Sequence, residues 1–257
     1  MPETEAQIGG LATTIDEVIE QLNAIIARSR EEKSRLGFFP VLYRDVTVKV
    51  KDGIASGRFE DGDRMERLDV LFANRYIEAY QQFRTGTQPT KSWQVAFDAA
   101  NTWRLLILQH LLLGINAHIN LDLGIAAART APGEQLPGLK ADFHEINNIL
   151  AELLDVVQDK IGVLSPWLGL LDQVGGRTDE AIVNFSIQKA RDASWQVAER
   201  LAPLSIEQQE AEIARLDQNV ADFAQIVQNP GWLLRIISFL IRIAESGNVV
   251  KIINVLS

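Results

Sequence analysis

Cysteine is absent from this sequence of 257 residues, and histidine occurs only three times. Without cysteine, the chain has no disulfide framework, no thiolate nucleophile and no zinc site with cysteine ligands. The glycine-rich signatures of common nucleotide sites and the GxSxG turn of serine hydrolases are missing as well. These absences exclude several familiar kinds of active site.

Basic residues are too few to favour nucleic acid as a partner. The chain has 25 Lys and Arg against 34 Asp and Glu, which gives a net charge of -9, and it has no dense basic block. The first ten residues, MPETEAQIGG, lack the basic and apolar segments of a secretory signal, so we expect a cytoplasmic protein. With 47% hydrophobic and 23% charged residues, the composition is typical of a folded soluble domain.

The spacing of apolar residues predicts an all-α fold. Segments between the eight prolines show helical rather than alternating periodicity, and no linker divides the chain, so we expect a single helical domain over residues 1–257. Alternating β-branched residues and turn signals in residues 38–64 indicate a short hairpin near residues 40–60. Helices are predicted near residues 14–30, 65–84, 91–128, 140–161, 166–174, 178–201, 205–228, 231–245 and 248–256.

Residues 105–128, LLILQHLLLGINAHINLDLGIAAA, indicate a buried central helix. Their leucines and isoleucines point in every direction, as in a helix that is surrounded by others. The segment also carries two histidines, two asparagines and an aspartate, whose burial in hydrocarbon would be costly, so we do not expect a transmembrane segment.

His118 and Asp122 are four residues apart and therefore lie on one side of this helix, as does Arg104 several turns earlier. A buried carboxylate needs a compensating partner. The partner of Asp122 could be a structural His or Arg, or a divalent metal ion such as zinc that His118 also binds. In a third alternative, Asp122 orients His118 as an acid or base in a metal-free pocket.

Two later helices supply further candidates for this site. Asp142 projects from the edge of an apolar stripe and is a third candidate metal ligand, although an acid in a first helical turn also stabilises the helix dipole. Arg191 is in line with Trp195 and could bind an anion with two hydrogen bonds. The structural alternative is an ion pair between Arg191 and Asp122 or Asp142.

The C-terminal segment has an apolar stripe on one side of its helix. Such a stripe is typical of packing on the protein's own core, and a membrane-surface helix is the alternative. The stripe consists of Trp232, Ile236, Phe239, Leu240 and Ile243.

The chain resembles an uncharacterised bacterial family, a domain of unknown function. The resemblance covers the chain from about residue 60 to its end and rests on FANRYIEAY, LLGINAHINLDLGIA at 112–126, DFHEIN at 142–147 and ARDASW at 190–195. It implies a helical domain but no activity. It also implies that one shared feature is formed by His118, Asp122, Asp142, Asn147, Arg191 and Trp195.

The string HINLD at 118–122 is similar to the His-x-x-x-Asp element of zinc-dependent phospholipases C and related single-strand nucleases. The remaining ligands of their pattern are missing, so a three-zinc cluster is not expected. The likeness implies at most one metal ion, bound by His118, Asp122 and Asp142.

We expect a buried polar pocket that acts on a small or lipid-like molecule. The catalytic candidates are His118, Asp122 and Arg191, and the chemistry would be hydrolysis or acid–base work, with or without one divalent metal. The substrate-binding candidates are Arg104, Asn147 and Trp195. One alternative is a non-catalytic binding or scaffold protein whose polar cluster is structural. Another is a cyclase or isomerase with an aromatic cavity that contains Trp103 or Trp195.

Overall fold

The computed structural model describes residues 10–169 and 186–257. Within these ranges it contains eleven α-helices and no strand, which confirms the all-α domain. The helices are α1 Ile15–Glu31, α2 Phe38–Ala55, α3 Gly62–Thr85, α4 Lys91–Ala99, α5 Ile107–Ile115, α6 Gly124–Thr130, α7 Leu136–Leu164, α8 Ile187–Leu201, α9 Ile206–Gln228, α10 Trp232–Ala244 and α11 Val249–Leu256.

The hairpin predicted near residues 40–60 is wrong, because residues 38–55 form helix α2. The side chains of Phe39, Tyr43, Thr47 and Val50 are buried at intervals of three and four residues, which places them on one face of a helix. That face packs in the interior against neighbouring helices including α1, α3 and α7. Its burial outweighs the small preference of β-branched residues for strands.

The predicted helix over residues 91–128 is broken at residues 100–106. Helix α4 ends at Ala99, and a second helical stretch runs from Ile107 to Thr130. The carbonyl oxygens of Ala100 and Trp103 in the break accept hydrogen bonds from Arg35 and Arg242, so side chains from other helices satisfy them. Because of the break, Arg104 does not share a helix with Asp122.

The stretch from Ile107 to Thr130 is the buried central helix that the sequence predicts. It is long and apolar enough to cross a membrane, but the core helix of a soluble protein meets the same weak criterion, and this one is mostly buried by the rest of the protein. Its middle, Asn116–Leu123, is a π-helix between α5 and α6. Asn116 donates to the carbonyl of Val220 in α9 at 2.9 Å, which accounts for one of its polar side chains.

The helices predicted over 166–174 and 178–201 also differ from the structure. Pro166–Gly169 form turns rather than the start of a helix over 166–174, and the rest of that prediction lies outside the described residues. For the helix predicted over 178–201, the described part is α8, which begins at Ile187 after the cap of Ser186.

Helix α10 does not pack its apolar stripe on the core, contrary to the prediction. All five residues of the stripe are exposed, and Trp232 keeps 75% of its surface accessible. The buried side of α10 carries Leu234, Ser238, Ile241 and Arg242 instead.

Candidate functional site

Asp122 is fully buried, and its compensating partners are Arg75 of α3 and Trp93 of α4. The Nε of Arg75 lies 2.6 Å from Oδ1, and the indole Nε1 of Trp93 lies 2.7 Å from Oδ2. Burial by itself would raise the pKa of Asp122, but the charge of Arg75, the neighbouring His118 and the hydrogen bond from Trp93 outweigh it and lower the pKa. The carboxylate is therefore ionised and fixed by a structural network.

His118 is also buried, but its ring nitrogens are not bonded within the described part of the chain. Its Nδ1 is 3.9 Å from Oδ2 of Asp122, which is too long for a hydrogen bond. The ring stacks on Phe72 at 3.5 Å between centroids and contacts the edge of Tyr43 at 4.2 Å. Burial lowers the pKa of His118, so the imidazole is neutral at pH 7 and can accept a proton.

A cavity of about 180 Å³ lies beside His118. Helices α2, α3, α7 and α8 and the π-helix line it, mostly with aliphatic and aromatic side chains. The half-exposed Val156 and the partly exposed Lys160 also belong to its lining, so the cavity reaches the surface along α7. The sequence predicts a polar pocket in this region of the fold, between the central helix, α7 and α8, whereas the lining of the cavity is mostly apolar.

Asp69 is a second ionisable side chain on the cavity, and sequence reasoning missed it. It is buried on α3, and its Oδ2 has no hydrogen-bond partner among the described residues. Burial, together with the nearby charge of Glu66, raises the pKa of Asp69 to about 7. The hydroxyl of Tyr43, another cavity residue, is likewise buried without such a partner.

Arg191 of α8 brings a guanidinium to the same cavity. Its Nε donates to Oδ1 of Asn147 at 2.6 Å, Nη2 donates to the carbonyl of Phe143, and its Cζ lies 4.5 Å from the Phe143 ring centroid. These partners are neutral, and Arg191 forms no ion pair with a described carboxylate, so the predicted pair with Asp122 or Asp142 is absent there. Burial lowers the pKa of Arg191 to about 9.

Asp142 belongs to a different network. Its oxygens accept from the backbone N–H groups of Glu60 and Asp61 at 2.7 and 3.1 Å and from Nη2 of Arg64 at 2.8 Å. The carboxylate thus fixes the turn before α3. Asp142 is also not in the first turn of its helix, because α7 begins at Leu136. The predicted role of stabilising the helix dipole from a first turn therefore does not apply.

The metal set His118, Asp122 and Asp142 is not brought together. Asp142 is used by the α3 turn, and both oxygens of Asp122 are bonded to Arg75 and Trp93. In the part of the chain that the structure describes, no three His, Asp or Glu side chains are grouped closely enough to hold a metal ion. The donor geometry therefore does not fit the predicted single-metal site.

Two of the predicted substrate-binding residues lie away from the cavity. Arg104 is exposed in the turn before α5, next to Trp103. Trp195 is buried against Phe143 and donates to Glu199 at 2.8 Å, but it does not line the cavity. Only Asn147 acts at the site, through Arg191. The aromatic cavity walls are Phe39, Tyr43 and Phe72, not Trp103 or Trp195.

The six residues of the predicted shared feature are therefore divided among several networks. His118 and Arg191 face the cavity, and Asn147 supports Arg191. Asp122, Asp142 and Trp195 stabilise the helices around it. The π-helix that carries His118 and Asp122 has a local geometry that is frequent at functional sites.

This helical protein with an apolar cavity and a cluster of ionisable residues belongs to a recognised family. The model of the family of unknown function DUF5995 matches residues 15–230, so the chain belongs to that family. No curated protein and no solved structure matches the chain.

Proposed function

We propose that the protein binds a small, mostly apolar molecule with an anionic group and catalyses proton transfer on it. One observation carries the proposal. Asp69 and His118 line an apolar cavity with buried polar atoms that have no hydrogen-bond partner among the described residues, and Arg191 brings a guanidinium without an ion pair to the same cavity. Burying such groups is costly, and a bound molecule with matching groups would repay part of that cost.

The size and lining of the cavity limit the ligand. An apolar protein cavity of about 150 Å³ holds a benzene molecule, and this one, at about 180 Å³, has room for a substituted ring or a short alkyl chain. Arg191 supplies positive charge at one wall, and a carboxylate can bind a guanidinium through charge-assisted hydrogen bonds. The expected ligand is thus an apolar carboxylate.

The pKa shifts support acid–base chemistry without a metal. Neutral His118 is a proton acceptor, whereas Asp69, with a pKa of about 7, keeps a proton on a large share of molecules at neutral pH. Two groups of different protonation state on one cavity can remove a proton from one position of a ligand and return it at another. Arg191 would stabilise the negative charge that develops.

Binding is tested on the full-length protein with phenylacetate, hexanoate and the neutral analogue 2-phenylethanol. We expect both carboxylates to raise the melting temperature. Arg191→Met keeps the apolar stem but removes the charge, and it should weaken phenylacetate binding by roughly tenfold or more, as expected for the loss of a charge-assisted hydrogen bond. 2-Phenylethanol should bind both proteins equally.

Arg104→Met is the matched control, because Arg104 is exposed and lies outside the cavity. The proposal is contradicted if neither carboxylate binds, or if the Arg104 variant loses as much affinity as the Arg191 variant. Isothermal titration calorimetry gives the dissociation constants.

Catalysis is tested with phenylpyruvate, a carboxylate that has an acidic C–H group. The wild-type protein should accelerate deuterium exchange at that carbon in D₂O, as followed by NMR. His118→Gln and Asp69→Asn should each lower the accelerated rate about a hundredfold, the usual contribution of a general acid or base. Carboxylate binding that depends on Arg191, without any acceleration of exchange, would contradict catalysis.

A non-catalytic binding protein is the second candidate function. The network of Asp122, Arg75 and Trp93 favours it, because this carboxylate is fully bonded and takes no part in the cavity. The two experiments separate the candidates, since a binding protein retains the effect of Arg191→Met but exchanges no deuterium.

A further inference from the structure

Helix α10 is apolar on both of its sides. Its inner side buries Leu234 and Ile241 next to Ser238 and Arg242. Its outer side carries Trp232, Ile236, Phe239, Leu240 and Ile243, all of them exposed. A helix that serves only to cover a core places its apolar stripe inward. The inner side already covers the core, so the exposed outer stripe indicates that another apolar environment is available to it.

Polar contacts on the inner side fix α10 in this orientation. The Nε of Arg242 donates to the carbonyl of Trp103 at 2.6 Å, and Glu245, just past the helix, accepts from the backbone N–H of Ile107 at 3.1 Å and from the hydroxyl of Ser165. Arg242 and Glu245 also lie 3.7 Å apart as a buried ion pair. Turning the stripe inward would break these contacts, so its exposure is built into the fold.

The charge around the stripe differs in sign from that of the whole chain. In residues 232–257, Arg242 and Glu245 are buried as a pair, so the exposed charges are those of Arg235 and Lys251, whereas the whole chain has a net charge of -9. Arg235 is exposed and lies beside the stripe, within a turn of Trp232 and Phe239. An apolar face with a cation beside it is complementary to a layer whose interior is apolar and whose outer surface carries anionic groups.

Exposed tryptophans add to this pattern. Trp103 is 51% exposed and is joined to α10 through Arg242, and Trp232 begins the helix. Trp167 is 53% exposed, next to Leu168, which packs in the same cluster as Leu234 and Ile241 beneath α10. Tryptophan prefers the boundary between hydrocarbon and water.

We propose that α10 is a docking helix for an anionic lipid surface. It lies in the plane of the membrane, with its apolar stripe at the boundary of headgroups and acyl chains and Arg235 among the lipid phosphates. The helix follows the region that the family model matches, which ends at residue 230. No described side chain of α10 lines the cavity, so the proposal does not depend on the proposed function of the cavity.

A second copy of the chain fits this face less well. A two-fold symmetric dimer would bring the same face against itself. That face has an arginine but no exposed acid in residues 232–257, so the arginine would have no opposite charge across such an interface. Lipid phosphates provide that charge.

The test measures co-sedimentation of the full-length protein with vesicles. Vesicles of equimolar phosphatidylcholine and phosphatidylglycerol should bind the wild-type protein and shift its tryptophan fluorescence to the blue. Ile243→Ser should lower the partition coefficient by roughly tenfold or more, because it removes one large apolar side chain from the buried stripe. Arg235→Gln should lower it about fivefold on these vesicles, and less on phosphatidylcholine alone.

Ile206→Ser is the matched control. Ile206 is 73% exposed, close to the 64% of Ile243, but it lies at the start of α9, the end remote from α10. We expect this variant to bind vesicles like the wild type. The proposal is overturned if the wild type does not bind, if both serine variants lose equal affinity, or if α10 instead mediates a concentration-dependent dimer that Ile243→Ser dissociates.

Discussion

At the scale of single residues, the buried ionisable groups divide into those compensated by the protein and those facing the cavity. Asp122 is held by Arg75 and Trp93, and Asp142 by Arg64 and two backbone N–H groups. His118 and Asp69 lack such partners among the described residues, and their pKa values move toward the neutral forms. This difference separates structural residues from candidate catalytic ones.

Asp69→Asn should reveal the energetic cost of the uncompensated carboxyl. The pKa of Asp69 is about 7 in the folded protein and 3.8 without the fold. Between these pH values the unfolded chain loses the proton while the folded protein keeps it, so this side chain destabilises the wild type increasingly as pH rises from about 4 to 7. The advantage of the Asn variant should grow over that range to roughly 4 kcal/mol and then stay constant.

Urea denaturation of both proteins at pH 5 and pH 8 measures the change. The two proteins share every other ionisable side chain, so the effects of those groups cancel in the difference. Asp52→Asn controls for the loss of one negative charge, because Asp52 is exposed. An equal stability difference at the two pH values would show that Asp69 is not held protonated by its surroundings.

At the scale of helices, local sequence signals located most elements but not every boundary. Ser205 and Gln208 form a capping box at the start of α9, and the side chain of Thr14 accepts from the backbone N–H of Glu17 at the start of α1. The hairpin prediction failed at α2 because β-branched alternation and helical spacing coexist there, and only tertiary burial decides between them. The break at 100–106 was missed because the side chains that satisfy it, Arg35 before α2 and Arg242 in α10, are distant from it in the sequence.

Gly124→Ala should destabilise the protein, because α6 and α8 approach closely at this glycine. A Cβ atom there would lie 2.7 Å from the carbonyl oxygen of Ser194 and 2.8 Å from the side chain of Val197. Backbone cannot move aside as a flexible side chain can, so we expect a loss of about 1–3 kcal/mol in the free energy of unfolding.

Gly162→Ala is the control for this change, since Gly162 also lies inside a helix but its Cβ would meet no atom within 4 Å. It should stabilise the protein by up to about 1 kcal/mol through its helix propensity. Chemical denaturation of both variants provides the comparison. Equal effects would mean that the contact of α6 with α8 is not tight.

At the scale of the whole molecule, the sequence predicted a central helix with a buried polar site but not how its partners are arranged. Arg75 and Asp69 lie on α3 among buried apolar residues at helical spacing, with Leu68, Phe72 and Tyr76 nearby. That position within an apolar stripe is a signal that could have identified both. Arg75 pairs with Asp122, whereas Asp69 faces the cavity. This arrangement depends on how the helices pack, and the spacing of residues along one helix does not encode it.

Helix α11 shares a core with helices from the first half of the chain. Ile253 of α11 is fully buried in a cluster with Ile26 of α1, Phe38 of α2 and Ile107 of α5. Ile253→Ala should therefore lower the free energy of unfolding by about 2–5 kcal/mol. Ile243→Ala, on the exposed stripe of α10, should change it by less than about 0.5 kcal/mol.

Far-UV circular dichroism and tryptophan fluorescence should follow one coincident unfolding transition in the wild type and in both variants, because α11 shares its core with helices from the first half of the chain. Tryptophans in α4, α8 and α10 report on different regions of the fold. If Ile253→Ala instead produced an early, separate transition, α10 and α11 would be an independent unit. The membrane-docking helix would then be an appendage rather than part of the domain that encloses the cavity.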